Sequence, residues 1–513
     1  MDDTSPPPAT GNSSTSLTDL DMDALVHCAS HLNLQDVSNM AMSSKYLQKA
    51  AYSDPIWQSL FSISLLVDFL ESSTNLMFCR QQWSPLVPTG FPHTSTDREA
   101  YLSRRTDVLQ FKFIDPAVVN FPITAKPHEN LCLDKDNIIF SEGSSVYVVN
   151  IDDFRHGKDS YDTLRGHTAK ITSLRSIPFE ETCLYSSKRQ KSDNLFVTSS
   201  LDHSIRLWWK GCCQRSFRIC NVSVSAISDK LLGDHPSKIL ASGGSDGIVR
   251  LWSLDCSGKR SQHDLKAVLY GHDKPAVLMS VAGHKTSLLV SISRNSKVIV
   301  WDTATSSANR SSCCVGKSTV PGAPKAMKCH ESLIYIVAGS SVVAIDIRTM
   351  RQVFKVNHQE EVHSFQMLPE KSLICTGLAQ RAMLWDVRRG CDIQKGEAVA
   401  ELDGHRGNVN LLHMDPYKIV SGGLKDFQVH VWETGNGRQL SSLNCCPLSD
   451  YHRGFRCSAM AVNGSRILTA CNDGDYSDLC FRDFNNATVP IYSDSSILQS
   501  KFWAPKSHID TEE

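Results

Sequence analysis

The chain lacks an excess of charge of either sign: 53 Lys and Arg stand against 54 Asp and Glu in 513 residues. A global electrostatic drive towards nucleic acid or an anionic membrane is thereby excluded, and such a partner would require a local patch. No apolar run is long enough to span a bilayer. Met1 is followed by two aspartates and a Pro/Ser/Thr tract without an apolar centre, so no secretory signal is expected either. The 18 cysteines include no pair at the two-residue spacing that sets two thiolates on one zinc; adjacent pairs occur instead at Cys212-Cys213, Cys313-Cys314 and Cys445-Cys446. They read as reduced, mostly buried thiols of a cytoplasmic or nuclear protein, and the Asn-Xaa-Ser/Thr sequences at Asn221, Asn463 and Asn486 are not expected to carry glycans.

What is present is a repeat. It is clearest from Leu164 to Trp209: Gly166-His167, a period-2 segment around Ile171 to Leu174, an apolar run ending Leu195 to Ser199, a turn at Asp202, and a third run Ile205 to Trp208. A Gly-His start and a Trp-Asp-like end roughly 40–45 residues apart mark one four-stranded propeller blade. His167, Thr198, Asp202 and Trp208 are spaced to form a buried hydrogen-bond relay, which satisfies polar groups that would be costly inside a sheet. A hydrolase triad of the same residue types is the rival account, disfavoured because the residues recur at fixed blade positions.

The remainder of the chain is ordered around that unit. Residues 1–16 are too poor in apolar side chains to order and form a tail. From 17 to 65 the pattern is helical. Leu20, Ala24, Leu25, Cys28, Ala29 and Leu32 share one face, Asn33 caps a second helix carrying Val37, Met40 and Ala41, and a third carries Tyr46, Leu47 and Ala50. Asp54-Pro55 then opens a helix with Trp57, Leu60, Phe61 and Leu65. A connector at 66–106 follows, broken by Pro85, Pro88, Gly90 and Pro92, with a helix expected over Thr96 to Arg105. From 107 to 492 the pattern is β, and 493–513 is a second tail.

Leu20, Leu25, Ser30, Leu32, the Leu34-Gln35-Asp36-Val37 segment and Ser53-Asp54-Pro55-Ile56-Trp57 resemble the F-box, although Asp21 stands where proline is usual and Ser43-Ser44-Lys45 departs from the common third-helix sequence. The resemblance implies that Leu20, Leu25, Leu32, Val37 and Trp57 dock on a Skp-type adaptor, joined to a cullin in a ubiquitin ligase. A helical cap packed within the chain is the plainer alternative.

The β region ends its repeats at Ile151-Asp152, Trp208-Trp209, Trp252-Ser253, Trp301-Asp302, Ile345-Asp346, Trp385-Asp386, Trp432-Glu433 and Arg482-Asp483, with Gly-His starts at 166, 271 and 404. This resembles the WD-repeat β-propellers. The predicted fold is therefore mainly β, a propeller of eight blades or, with the first strand set as an extra, of seven, preceded by a small all-α module. Six residues back from the tryptophans stand Asp202, Asp246, Asn295 and Asp426, but Ala379 in the sixth blade. Ser421 stands one residue further from Asp426 than Thr198 does from Asp202, which predicts a bulge near Lys425. Val108 to Ile114 is expected to close the ring, with Thr488 to Tyr492 the competitor.

Two local motifs fail on context. Gly243-Gly244-Ser245-Asp246-Gly247 matches a nucleophile elbow, but a strand rather than a helix follows, and Gly316-Lys317-Ser318 lacks the leading glycine of a phosphate loop. No carboxylate pair or metal-ligand set survives, so neither catalysis nor a cofactor or metal is expected. Lys188-Arg189-Gln190-Lys191 reads as a solvated loop, with nuclear import or an anion contact as rivals.

Related F-box propellers read phosphorylated segments with arginines on the face where the second-to-third strand turns and the loops leading into first strands converge. There this chain offers Lys170, Arg294, Asn408, Asn410, Lys425 and Arg456. The reading that results is a substrate receptor of a ubiquitin ligase, binding a protein target that carries phosphate or does not. The alternative is a non-catalytic WD-repeat scaffold in a nuclear or cytoplasmic complex, and nucleic-acid binding through the basic loop is a weaker third.

Overall fold

Continuous apolar runs such as Ile239–Gly244 and Leu288–Ser293 recur along the chain, and each is fully buried as the second strand of a four-stranded antiparallel sheet. A strand covered on both faces reads in this way, whereas outermost strands such as Gln352–Asn357 alternate between buried and exposed. The computed structural model describes residues 20–57 apart from 33 and 54, residue 111, and residues 116–484 apart from 124–129, 135–136, 157–160, 179–193, 220, 234–237, 255–264, 306–312, 390–397, 446–455 and 473–476. The expected tails, the connector helix, the Asn33 and Asp54 caps, Leu60, Phe61 and Leu65, the basic loop at 188–191 and the competing strand at 488–492 lie outside those residues.

The chain divides into two compact units, Met1–Val108 and Leu109–Glu513. Among its described residues the first holds the short helices Met22–Ala29, Leu34–Ser43 and Lys45–Ala51. Asp21 opens the first by accepting the Ala24 N–H at 2.8 Å, and Ser44 opens the third by accepting the Leu47 N–H at 3.1 Å. Leu25 packs with Leu47 and Ala50, while Val37 and Trp57 pack with Ala29, Ala51 and Ile56. The Trp57 indole N–H donates to the Ala51 carbonyl at 2.9 Å. The expectation that Leu25, Val37 and Trp57 face an outside adaptor is corrected by this packing: they are the unit's own core. Leu32 is half-buried against the same cluster, and of the five only Leu20 is exposed. Apolar periodicity identified the buried face, while Leu20, Met42, Tyr46 and Tyr52 are exposed.

The second unit comprises eight four-stranded sheets. Blades 1 to 7 run over 131–164, 171–218, 224–269, 276–319, 324–357, 364–403 and 411–444. Blade 8 takes three strands from 456–483 and its fourth, Ala117–Ile123, from the N-terminal side. Each first strand touches the first strand of the next blade, and that of blade 8 touches that of blade 1, so the ring is closed and has eight blades. Closure removes the free sheet edge at the chain ends.

Each of the eight seams between blades has its own apolar cluster. The residue that ends each repeat is the wedge. Trp208, Trp252, Trp301, Ile345, Trp385 and Trp432 each pack into the seam with the preceding blade, and Ile151 does so between blades 8 and 1. Full burial of a side chain of this size stabilises by roughly 3 kcal/mol. Hydroxyls tie the same seams along the inner strands: Thr172 donates to the Val224 carbonyl at 3.0 Å, Ser225 to that of Ala276 at 2.6 Å, and Ser364 to that of Val409 at 2.5 Å.

Two expectations are corrected. Val108 to Ile114 does not close the ring; Ala117–Ile123 does, in register from Ala117↔Asp483 to Ile123↔Ser477. Phe111, in the former stretch, is helical and lies on Phe484 with ring centroids 4.2 Å apart, plugging the seam between blades 7 and 8. The ladder of blade 7 runs from Lys418↔Glu433 to Ser421↔His430 without a shift in register, so its extra residue sits in the turn around Lys425 and not in a bulge.

Candidate protein-interaction face

Blade 2 brings its four polar residues together. The Trp208 indole N–H donates to Thr198 Oγ1 at 2.8 Å, His167 Nε2 lies 2.8 Å from the same oxygen, and His167 Nδ1 lies 2.9 Å from Asp202 Oδ2. With the indole donating, the threonine hydroxyl is left to donate to Nε2, and Nδ1–H donates to the carboxylate. Burial works to raise the Asp202 carboxyl, but hydrogen bonds from the Ser204 hydroxyl, the Thr168 N–H and His167 outweigh it and hold the group at about 2. Thr198 is fully buried and its oxygen is engaged on two sides, so it has no access to a substrate carbonyl. The group is a strut.

Blade 7 repeats it with His405 Nδ1 at 2.7 Å from Asp426, Nε2 at 2.8 Å from Ser421, and the Trp432 N–H donating to Ser421 at 2.7 Å. Blades 3, 4 and 6 keep fragments. In blade 3 Asp246 binds Arg250 at 2.6 Å while the Trp252 N–H donates to Ser242 at 2.7 Å. In blade 4 His272 Nε2 meets Ser291 at 2.7 Å, but Nδ1 has no hydrogen-bond partner, since Asn295 turns to Ser293. In blade 6 the Trp385 N–H reaches Thr376 at 3.2 Å. His358 stands edge-on to the Trp385 ring, centroids 5.4 Å apart, with Nε2 unpartnered. His358 carries no Gly-His signature; its detectable signal is that it stands four residues before Val362, as His405 stands four before Val409.

Blade 8 replaces the tryptophan by Arg482. Thr469 pairs with Cys480 across the ladder as Thr198 pairs with Arg206, and the residue two further on donates to the hydroxyl in both: Trp208 in blade 2, and Arg482 Nη1 at 3.0 Å in blade 8. Arg482 also donates to the Asn444 carbonyl of blade 7, so it bridges the seam by hydrogen bonds where the other wedges use apolar surface. Beside it, Cys445, Cys457 and Cys471 lie in the apolar cluster of that seam. Among the described residues no group of three or more His, Cys, Asp or Glu is placed to hold a metal ion.

The remaining surface for chemistry is the upper face, where second-to-third strand turns and lead-in loops meet. Lys170, Arg294, Asn408, Lys425 and Arg456 are exposed there, and Asn410 is half-buried. Asn408 and Lys425 come together in blade 7, because Gly423 lies against the Asn408 carbonyl and Gly407 against Lys425. Arg456 begins the inner strand of the adjacent blade 8. Lys170 leads into blade 2, and Arg294 sits in the turn of blade 4, on the far side of the ring from Arg456. The six therefore form one sector plus two outliers, not the paired arginines of a phosphate fork. Sequence reading missed Arg406, Leu424 and Phe427 in that sector, whose exposure depends on the shape of one turn.

Comparison with known proteins agrees with the ring. The model of the family "WD domain, G-beta repeat" matches residues 158–208 and 211–253, and no F-box model matches. The COMPASS component SWD3 of Saccharomyces cerevisiae is 28% identical over 151 residues, 29% of this chain and 41% of that protein. The ribosome biogenesis protein WDR12 homolog of Trichoplax adhaerens is 21% identical over 54% of this chain and 66% of its own. The ribosome biogenesis protein YTM1 of Meyerozyma guilliermondii is 23% identical over 53% and 63%. The chain thus spans between about two-fifths and two-thirds of the length of these relatives. The crystal structure of Saccharomyces cerevisiae Sqt1 superimposes with a TM-score of 0.52 at 11% identity, covering 72% of this chain and 99% of that one, a likeness of fold. These findings overturn the ligase-receptor reading and its Skp-type adaptor and cullin partners: the relatives are named for ribosome biogenesis and COMPASS, and Leu25, Val37 and Trp57 are buried in their own unit. No described helix is long and apolar enough to cross a membrane. The ring is an eight-bladed β-propeller, of which residues 158–208 and 211–253 match the WD40 repeat.

Proposed function

We propose that this chain is a non-catalytic scaffold that holds protein partners on its propeller within a nuclear or cytoplasmic assembly. The observation that carries the reading is the state of the polar groups at the repeat-defining positions. In blades 2 and 7 His, Ser or Thr, Asp and Trp bond one another under cover, leaving no nucleophile or base facing solvent. Such a ring offers rigidity, and its upper face, with Lys170, Arg294, Asn408, Asn410, Lys425 and Arg456, offers polar side chains on short turns. The relatives named as ribosome biogenesis proteins and as a COMPASS component favour a role within an assembly.

Sedimentation of the chain at its natural abundance, followed by mass spectrometry of the fractions, tests this. Co-migration with a defined set of proteins, well above the 56.9 kDa of the chain alone, is expected. A peak at that mass with no partner would overturn the proposal.

A further inference from the structure

The hairpin of blade 7 departs from its neighbours in a way that creates a surface. Five residues separate its second and third strands, Lys418–Gly422 and Gln428–Glu433, where blade 2 has three between Asn194–Ser200 and Ser204–Trp209. In blades 2, 3 and 4 the residue after the turn carboxylate or amide is left-handed: His203 at φ 66, Gly247 at 79 and Ser296 at 68. Phe427 holds that place in blade 7 and is not in that region. The longer turn thus takes a bulky side chain without backbone strain.

The result is an apolar pair within a single turn of the upper face. Leu424 is 46% and Phe427 45% exposed. The exposed Arg406 guanidinium lies 5.7 Å from the centroid of the Phe427 ring, Lys425 stands between the two apolar residues in sequence, and Arg456 is exposed on the next blade. The Cys457 N–H, one residue on from Arg456, donates to the Asp426 carbonyl at 3.2 Å, which sets Arg456 beside the turn. The turn's own carboxylate does not offset these cations, because Asp426 is buried and engaged by His405 and by the Arg406 N–H at 2.8 Å. The other described carboxylates of blade 7, Asp415 and Glu433, stand at the opposite ends of its strands. The geometry is also held in advance. A Cβ on Gly423 would come within 2.6 Å of the Asn408 carbonyl, and one on Gly407 within 2.8 Å of the Lys425 Cβ, so both glycines permit the lead-in loop and the turn to lie in contact.

Resting on the scaffold reading, we propose that this turn is the docking point for an acidic polypeptide segment carrying an apolar anchor. Leu424 and Phe427 receive the anchor, and Arg406, Lys425 and Arg456 receive its carboxylates. An aromatic side chain beside arginine on a preorganised turn is the composition of an interface hot spot, since little side-chain freedom is lost on binding. Charge complementarity then selects the partner's sign.

Selection of a random peptide library on the full-length chain tests the proposal. Peptides with Asp or Glu flanking an aromatic or aliphatic residue are expected. Their affinity is expected to fall about tenfold or more in Phe427→Ser and in the double variant Arg406→Glu/Arg456→Glu, with thermal unfolding of the chain unchanged. Leu424→Ser supplies a second variant should Phe427→Ser fail to fold. The proposal is overturned if no acidic consensus emerges, or if the selected peptides bind the variants as they bind the parent. It is equally overturned if a single-stranded RNA oligonucleotide or a second copy of the chain proves to be what occupies the turn. The scaffold reading fails separately, if the chain isolated from cells carries no partner at all.

Discussion

Blades 2 and 7 hold a buried histidine against a carboxylate; blade 4 holds a buried one, and blade 6 a half-buried one, without it. The four imidazoles occupy equivalent places beside a tryptophan, yet their chemistry differs because one turn residue differs: Asp202 and Asp426 against Asn295 and Ala379. Where the relay carboxylate is missing, burial prevails, and His272 and His358 are each pushed down to about 4, with Lys297 and Arg381 adding to the effect and Asp273 only partly opposing it at His272. The relay is therefore not required for a blade to form. It decides how that blade tolerates protons and how firmly its tryptophan is held.

The largest effect expected from this contrast is on acid stability. An imidazole that titrates near 4 when folded and near 6.5 when unfolded leaves the unfolded chain holding more protons between those values. Stability is then full above pH 6.5 and falls as the pH drops from 6.5 to 4, by about 1.4 kcal/mol for each unit of displacement per histidine. Urea unfolding at a series of pH values should show this limb, and His272→Gln/His358→Gln should flatten it; an unchanged slope would show that the two histidines are not the buried neutral groups described.

Next in size is Asp202→Ala, which strands the His167 and Thr168 N–H groups and the Ser204 hydroxyl, at a cost of about 2–3 kcal/mol at pH 7 by denaturant unfolding. Asn295→Ala in blade 4 removes no partner of His272 and should cost less. A smaller difference is expected between Trp208→Phe, which loses a 2.8 Å bond for about 1 kcal/mol, and Trp385→Phe, whose 3.2 Å bond is weaker. Smallest is the gain from Asn295→Asp, which sets a carboxylate where His272 Nδ1 lacks a partner. It should add about 0.5 kcal/mol near neutral pH and shift the acid limb downward, read by the same titration.

Much of the ring was legible because its repeats are local. The end residues from Trp208 to Trp432 recur at a near-constant step, and the same side chains prove to be the seam wedges. Arg482 was legible as a repeat end but not as a bridge to Asn444, since nothing in one chain position shows which carbonyl lies across a seam. Phe111 misled because a few alternating residues fit a strand and a helix turn alike, and only its contact with Phe484 distinguishes them. The helical residues misled differently. Leu25, Val37 and Trp57 were apolar and periodic as expected, but apolarity predicts burial and is silent on what does the covering. The upper-face cations were legible as residues, while their grouping depended on blade order around the ring. Leu424 and Phe427 escaped notice because an extra turn residue, not composition, exposes them.

Cross-linking mass spectrometry on the assembly isolated from cells tests the central claim, that this ring is a rigid platform binding other proteins on its upper face. Partner cross-links are expected at Lys170 and Lys425, and not chiefly at Lys266, Lys317 and Lys355, which are equally exposed on outer strands. Cross-links confined to the outer strands, or a chain recovered without any other polypeptide, would contradict it.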